Sequence, residues 1–326
     1  MLGQLYDILA VIIIVSQKNK RLSGHIGALT ALWLVSLFLL VYFLRSPSAA
    51  ANSARAALGV CATGLIPSLF PFIVLVSVIN SSGLSRLIAH TVGAPLKWLF
   101  GIPKPATTAV ILGALGGFPI GAVCTRELYL GGEITKPEAE RLITFTNNAS
   151  PAFCIGVIGA SLFGDVNFGV RLYFCQLTAA ALLGIVRRKR TPHTAAKAVY
   201  AQKSISDTIT SAISDSASTM LKICAFAVFF AVIGDALCLT VGHYFGSVAS
   251  TLTGAVCELT LGARSCTALG GDISRVLCAF AVGWSGISVH TQIASILSDC
   301  DIKMRRYYLC KLLQGILTAS LTFIFV

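Results

Sequence analysis

Long apolar stretches, broken at intervals by small and polar residues, set the pattern of this chain. Uninterrupted apolar runs cover residues 26–44, 66–79, 168–186, 223–239 and 307–326, several of them near the roughly 20 residues that an α-helix needs to cross a bilayer. Two shorter runs, 5–15 and 109–115, are too short to cross alone. The pattern predicts an all-α, polytopic membrane protein. Two interruptions matter most: Gly-Gly-Phe-Pro-Ile-Gly-Ala at 116–122, and further on Asn147-Asn148-Ala149-Ser150-Pro151. In hydrocarbon an unpaired backbone group costs several kcal/mol, so non-helical chain persists at membrane depth only where protein buries it or where it lines a wet cavity.

Gly116 and Gly117 permit backbone conformations closed to other residues, and Pro119 cannot donate the hydrogen bond that a continuing helix requires. The first break therefore predicts a re-entrant hairpin. Its tip would present free N–H groups of the returning half-helix, a place for an anionic group; a simple Gly/Pro kink between packed helices is the competing reading. At the second break Pro151 ends the helix before it, and Thr144, Thr146, Asn147, Asn148 and Ser150 offer donors and acceptors without charge. Such a set suits a polar ligand or a coordinated sodium ion, or it serves only to satisfy the broken backbone.

The second half of the chain echoes the first. At a shift of 135 residues, Arg171-Leu-Tyr173-Phe-Cys175-Gln-Leu177 lies over Arg306-Tyr-Tyr308-Leu-Cys310-Lys-Leu312. The same shift superposes Phe145 on Phe280, Ser150 on Ser285, Ile158 on Ile293 and Leu162 on Leu297, and sets the second break opposite Gly283-Trp284-Ser285-Gly286. With a small insertion, the 116–122 segment faces Glu258-Leu259-Thr260-Leu261-Gly262-Ala263. Placing the basic clusters Arg187-Arg188-Lys189-Arg190 and Lys303, Arg305 and Arg306 in the cytoplasm makes the spans next to them antiparallel. Two repeats of inverted topology, each with re-entrant hairpins, account for both observations. The expected organisation is N-terminal membrane helices at 1–50, repeat 1 at 51–186, a basic cytoplasmic connection at 187–201 and repeat 2 at 202–326. Segments 49–65 and 197–218, rich in Ala and Ser, read as amphipathic helices along the membrane face or as solvent-facing linkers.

Composition narrows the function classes. Of 326 residues 56% are hydrophobic and 12% charged, against about a quarter charged in soluble domains. The net charge of +12 sits in short connections beside apolar runs, the positive-inside distribution rather than a nucleic-acid stripe. Eleven cysteines without a C-x-x-C pair read as small buried hydrophobes. Run 5–15 has no basic segment before it and no small-x-small site after it, so it is expected to be a retained short or tilted helix, with an uncleaved signal-anchor as the alternative.

Ionisable residues near the breaks are candidates, because charge in a membrane segment is costly. Arg126 and Glu127 follow the first tip by one turn, and Glu258 and Arg264 bracket the corresponding place in repeat 2. They form Glu–Arg clasps, or they leave one arginine to meet a substrate carboxylate. His290 is a proton carrier or hydrogen-bonded structure; Lys222 and Asp235 are further candidates, Lys222 alternatively snorkelling. Glu133, Lys136, Glu138, Glu140 and Arg141 around Pro137 read as a solvated helix end. No Walker loop, H-E-x-x-H, nucleophile elbow or haem motif occurs, so the expectation is solute movement rather than enzymatic catalysis, without cofactor or metal. Sodium and proton both stay open as coupling ion.

The segments Gly64-Leu65-Ile66-Pro67-Ser68-Leu69-Phe70-Pro71-Phe72, GGFPIGA at 116–122, Leu128 to Thr135, Glu138 to Leu142 and Phe145 to Pro151 resemble the YlbJ family of sporulation integral membrane proteins. The family carries a nucleoside-recognition or Gate domain, similar to parts of concentrative nucleoside transporters and of the ferrous-iron permease. The resemblance implies paired re-entrant hairpins and a role in spore formation at the outer forespore membrane, moving dipicolinate towards the forespore. It marks Gly117, Pro119, Gly121, Asn147, Asn148, Ser150 and Pro151 as motif positions, with Gly116 standing where family members commonly have Ser. The expected function is secondary transport of a small polar, anionic solute between hairpin tips: Arg126 or Arg264 meets carboxylate, and Asn147, Asn148 and Ser150 orient the ligand. Glu258 and Ser285 are their counterparts in repeat 2. A nucleoside would lean on the amides and on stacking by Phe118 or Trp284, and a non-transporting membrane scaffold is the alternative of another class.

Overall fold

The computed structural model describes residues 20–91, 93–188 and 204–325, so run 5–15 and most of connection 187–201 lie outside the described residues. Every described element is a helix. The chain divides after Asn52 into two units. In the first, α1 (Lys20–Arg45) turns many large apolar side chains outward, among them Leu32, Trp33, Leu37, Leu40 and Leu44. α2 (Pro47–Val60) leads through one widened turn, Cys61–Leu65, into α3 (Ile66–Ser81). The widening has a cause in the sequence: Pro67 has no N–H for the carbonyl four residues back, and the Ile66 amide bonds instead to Cys61 O, five back. Segment 49–65 is thus no separate amphipathic helix, because nothing in it stops the winding before α3.

The second unit continues with α4 (Leu84–Thr91), α5 (Gly93–Phe100), α6 (Thr107–Gly116), α7 (Ile120–Leu130) and α8 (Lys136–Leu142). Then come α9 (Ala152–Leu162), wound with the wider π-type turn, and α10 (Val166–Val186). After the connection follow α11 (Ile205–Cys257), α12 (Leu259–Thr267), α13 (Gly271–Trp284), α14 (Gly286–Ile296) and α15 (Arg305–Phe325). Among the described residues, four helical stretches are long and apolar enough to cross a membrane: Val166–Val186, Ile205–Cys257, Gly271–Ile296 and Arg305–Phe325. Gly93–Phe100 and Lys104–Gly116 form a pair bent by 99°. Exposed Phe174, Leu182, Phe229, Leu239, Ile316 and Phe323 suit a surface turned to lipid. The molecule is a multi-pass, all-α membrane protein with broken helical pairs.

Local signals fix where helices begin. Thr135 and Glu138 make a reciprocal capping box on α8, the Asp165 carboxylate accepts from Phe168 N at 2.9 Å to start α10, and Ser204 accepts from Asp207 N at 3.0 Å to start α11. α11 runs unbroken from Ile205 to Gly246, where φ is 82°, and resumes to Cys257. Residues 205–218 are therefore the first turns of this long helix, not a separate surface helix: their Ser and Ala content carries no breaker. The order broken pair, broken pair, unbroken helix of 21 residues then occurs twice, as α6/α7, α8/α9, α10 and as the end of α11 with α12, α13/α14, α15.

Close approach of backbone makes the broken pairs compact. A Cβ on Gly113 or on Gly121 would lie 2.2 Å from Thr146 O, and one on Gly262 would lie 2.4 Å from Ala255 Cα. The first hairpin thus seats directly on the chain leading into the second break.

Ion pairs tie this first half to the connection between α14 and α15. The Arg126 guanidinium donates from Nε to both oxygens of Asp299, at 2.9 and 3.0 Å, and from Nη2 as well. Lys136 pairs with Asp301, and Glu140 accepts from Lys303 N at 3.1 Å. Glu127 takes part in no Glu–Arg clasp; it accepts from Asn80 Nδ2 at 2.5 Å. The run around Pro137 is not a solvated helix end either, since Glu133, Glu138 and Arg141 are 7%, 5% and 8% exposed. Arg141 reaches Gly101 O at 2.5 Å, so the loop before α6 covers it.

Two outcomes follow from this packing. Gly113→Ala and Gly262→Ala should each cost about 1–3 kcal/mol through overpacking, seen as a lower melting temperature in detergent. Gly156→Ala, whose Cβ would meet nothing within 4 Å, should leave melting unchanged; equal melting of all three would contradict the seam.

Hydrogen bonds from the Arg126 guanidinium hold the Asp299 carboxyl below its ordinary value of 3.8, outweighing a smaller opposing effect of burial. A carboxyl depressed in the folded state contributes stability above its unfolded pKa and loses it as pH falls through the folded value. The melting temperature of the native chain should therefore exceed that of Asp299→Asn at neutral pH, with the gap closing below about pH 4. A gap that widens on acidification would show that the pair does not act this way.

Candidate functional site: paired breaks around a cavity

The two hairpin tips are built differently from each other. At the first, α6 ends at Gly116, Gly117 takes φ 85°, and α7 begins at Ile120. The early amides of α7 fold back on the tip: Ile120 N bonds Gly117 O at 2.8 Å, and Ala122 and Val123 bond Pro119 O at 2.9 and 3.1 Å. At the second tip Glu258 is extended, and its carboxylate accepts from Leu261 N at 2.7 Å while its carbonyl accepts from Gly262 N at 2.9 Å. The expected open rows of N–H groups are thus largely taken, because carbonyls turned by Gly117 and Pro119, and an acid of the chain itself, reach them first.

Each tip rests on the break that follows it. A Cβ on Gly117 would lie 2.9 Å from Ser150, and one on Gly286 3.0 Å from Leu259 N and 3.1 Å from Glu258 Cα. Residues 147–150 leave helical geometry altogether, and several of their polar groups are taken up by neighbouring chain. The Asn147 and Asn148 side chains donate to Ile143 O and Phe145 O at 3.1 and 3.0 Å. Gln176 of α10 exchanges a pair of hydrogen bonds with Ala149, accepting from its N at 3.1 Å and donating to its O at 2.7 Å. Gln314 of α15 donates to Asn148 Oδ1 at 2.7 Å. Lys311 Nζ donates to Asn147 O at 3.0 Å and to Gln314 Oε1 at 2.8 Å, and stands 5.0 Å over the Phe118 ring. Gln176, Lys311 and Gln314 are completely buried.

The counterpart break is tighter. Ser285 and Gly286 turn the chain together, with φ 81° and 82°, and the Ser285 amide closes on Ala281 O at 2.7 Å; a non-glycine residue such as Ser285 is strained there by about 1–2 kcal/mol. Around it Trp284 Nε1 donates to Val256 O at 3.2 Å, and His290 Nδ1 is 2.8 Å from Tyr307 OH. His290 is held as buried structure and lies off the cavity.

Between the tips lies a cavity of about 350 Å³, lined by both hairpins and both halves, within the range for small-molecule sites. Gly117, Phe118 and Ser150 bound it from one side, Glu258, Leu259, Thr260 and Arg264 from the other. Leu65, Leu69, Phe153, Val157, Ile223 and Val289 make most of its wall apolar, with Gln292 as a further polar group. A small recess adjoins it, where Asp235 faces Thr260 and Arg264. Among the described residues Arg264 has no ion-pair or side-chain hydrogen-bond partner.

Of the residues read from the sequence, the structure brings Gly117, Phe118, Ser150, Glu258 and Arg264 to the cavity. Pro119, Gly121, Asn147, Asn148 and Ser285 stand behind it as framework. Arg126 is not brought there, being committed to Asp299, and Lys222 is exposed on α11. Sequence reasoning missed Gln176, Lys311 and Gln314, although each is a long polar side chain inside an apolar run, where polarity is costly and needs a reason. Among the described residues no group of three or more His, Cys, Asp or Glu is arranged to hold a metal ion.

No protein-family model matches the chain, and no solved structure matches it. The sporulation integral membrane protein YlbJ of Bacillus subtilis (strain 168) is 25% identical over 324 residues, an alignment that covers 87% of this chain and 79% of that protein. Similarity along most of both chains, at this level of identity, makes this chain a distant relative of that protein.

Proposed function

We propose that this protein is a secondary transporter that carries a small organic anion with an apolar body, in the setting of spore formation. One observation carries the reading: an unpartnered guanidinium, Arg264, on the wall of a mostly apolar cavity enclosed by the hairpins of both halves. A planar guanidinium meets a carboxylate with two parallel hydrogen bonds. Phe118 and Phe153 offer faces for a ring, while Ser150, Thr260 and Gln292 supply neutral donors. Glu258, already spent on capping α12, sets a negative limit on one side and orients the anion towards Arg264. Dipicolinate, a flat pyridine ring with two carboxylates, has this chemistry, and it is the solute that the family resemblance implies.

In this reading the two halves are inverted repeats, and movement of one against the other opens the cavity to either side in turn. The breaks serve as the joints, because the chain there leaves the continuous hydrogen-bond ladder of a helix.

Uptake of radiolabelled pyridine-2,6-dicarboxylate into proteoliposomes tests the proposal. Arg264→Gln should reduce uptake by about tenfold or more, with Arg264→Lys recovering only part of it. Arg126→Gln should stay within about twofold of the native rate once folding is matched. No saturable uptake of this dicarboxylate by well-folded native protein, or full uptake by Arg264→Gln, would sink the reading.

A further inference from the structure

Lys311 sits in the middle of α15, completely buried, and the partners of its Nζ are Asn147 O, Gln314 Oε1 and the Phe118 ring. None is an anion, and among the described residues no carboxylate lies within ion-pair distance of it. A buried charge without a counter-charge costs several kcal/mol, and lysine, unlike arginine, is a cation that can shed its proton. The surroundings accept either state. Two strong acceptors match the two N–H bonds of a neutral amine, and the aromatic face adds a partner for the third proton of an ammonium.

The repeat supplies a second argument. Position 311 corresponds to position 176 at the 135-residue shift. Gln176 clamps the same break with a neutral amide. Satisfying the broken backbone therefore needs a donor but no charge, and a lysine at 311 adds an exchangeable proton to that role. Its location gives the proton consequence: Phe118 lines the cavity, and the Lys311 amine stands 5.0 Å from the centroid of that ring.

Other ionisable groups on the packed elements are accounted for. His290 of α14 faces Lys311 electrostatically and is bonded to Tyr307, and Cys310 is its neighbour on α15. From α10, Arg171 bonds Phe325 O, Tyr173 bonds Ala114 O, and Cys175 is a buried thiol. From α13, Arg275 pairs with Asp165, Asp272 lies in the first turn, and Cys278 is a buried thiol. From α8, Lys136 pairs with Asp301, Glu138 caps its own helix, Glu140 bonds Lys303 N, and Arg141 bonds Gly101 O.

We infer that Lys311 is a proton-binding site that couples proton movement to solute movement through the adjoining cavity, an inference that rests on the transport reading above. Two measurements test it. In detergent, NMR of ¹⁵N-lysine-labelled protein should show an amine signal, absent in Lys311→Met and in Lys311→Gln, that titrates between about pH 5 and pH 9; a signal unmoved over that range overturns the inference. In proteoliposomes at fixed sodium, an imposed pH gradient should change the rate of pyridine-2,6-dicarboxylate uptake by native protein several-fold. Lys311→Gln, which keeps the donor, should transport without responding to the gradient. A gradient response retained in Lys311→Gln overturns the coupling. A titrating Lys311 in native protein that moves none of the dicarboxylate overturns the transport reading and the coupling with it, while the proton-binding site stands.

Discussion

A helix that breaks inside hydrocarbon exposes N–H and C=O groups that no water can reach, and at the 147–150 break the carbonyl of Asn147 and both backbone groups of Ala149 find their partners in side chains of two other helices. Gln176 of α10 takes both backbone groups of Ala149, Lys311 of α15 takes the carbonyl of Asn147, and Gln314 holds the Asn148 side chain. The break, α10 and α15 thereby become one unit. Because the first hairpin is seated on the same chain through Gly113, Gly117 and Gly121, the clamp also fixes where the hairpin tip stands, and with it one wall of the cavity.

Charge is distributed around this centre by what it costs in each place. At the edge, where water screens, Arg126 with Asp299 and Lys136 with Asp301 close pairs that tie the first half to the connection before α15. At the second tip a single carboxylate, Glu258, is absorbed by the N-terminus of α12. Near the cavity, Arg264 on its wall and Lys311 beside Phe118 have no ion-pair partner among the described residues.

Much of the architecture was legible because it obeys one-dimensional rules. Gly117 and Pro119 cannot continue a helix, and the hairpin turns there; the Asn-Asn-Ala-Ser-Pro segment breaks where Pro151 demands it; Ser285 turns the chain opposite Ser150, at the shift that aligns the two halves. Other readings failed where local composition was ambiguous. Segments 49–65 and 197–218 look amphipathic on their own, yet 49–65 and the described part of the other, 205–218, each run into the next helix because no breaker intervenes. Arg126 was indistinguishable from Arg264 by spacing, and the difference lies in Asp299, 173 residues away in the chain.

The sequence by itself determined that the chain spans membranes as helices, where those helices break, and that the breaks come in pairs, since apolar length and the stereochemistry of Gly and Pro act locally. Only the tertiary structure decided which polar groups are spent and which stay available. That depends on what packing places within hydrogen-bond reach: Asp299 removes Arg126 from the site, Glu258 closes its own helix, Gln176 and Gln314 are consumed by broken backbone, and Arg264 is left facing the cavity.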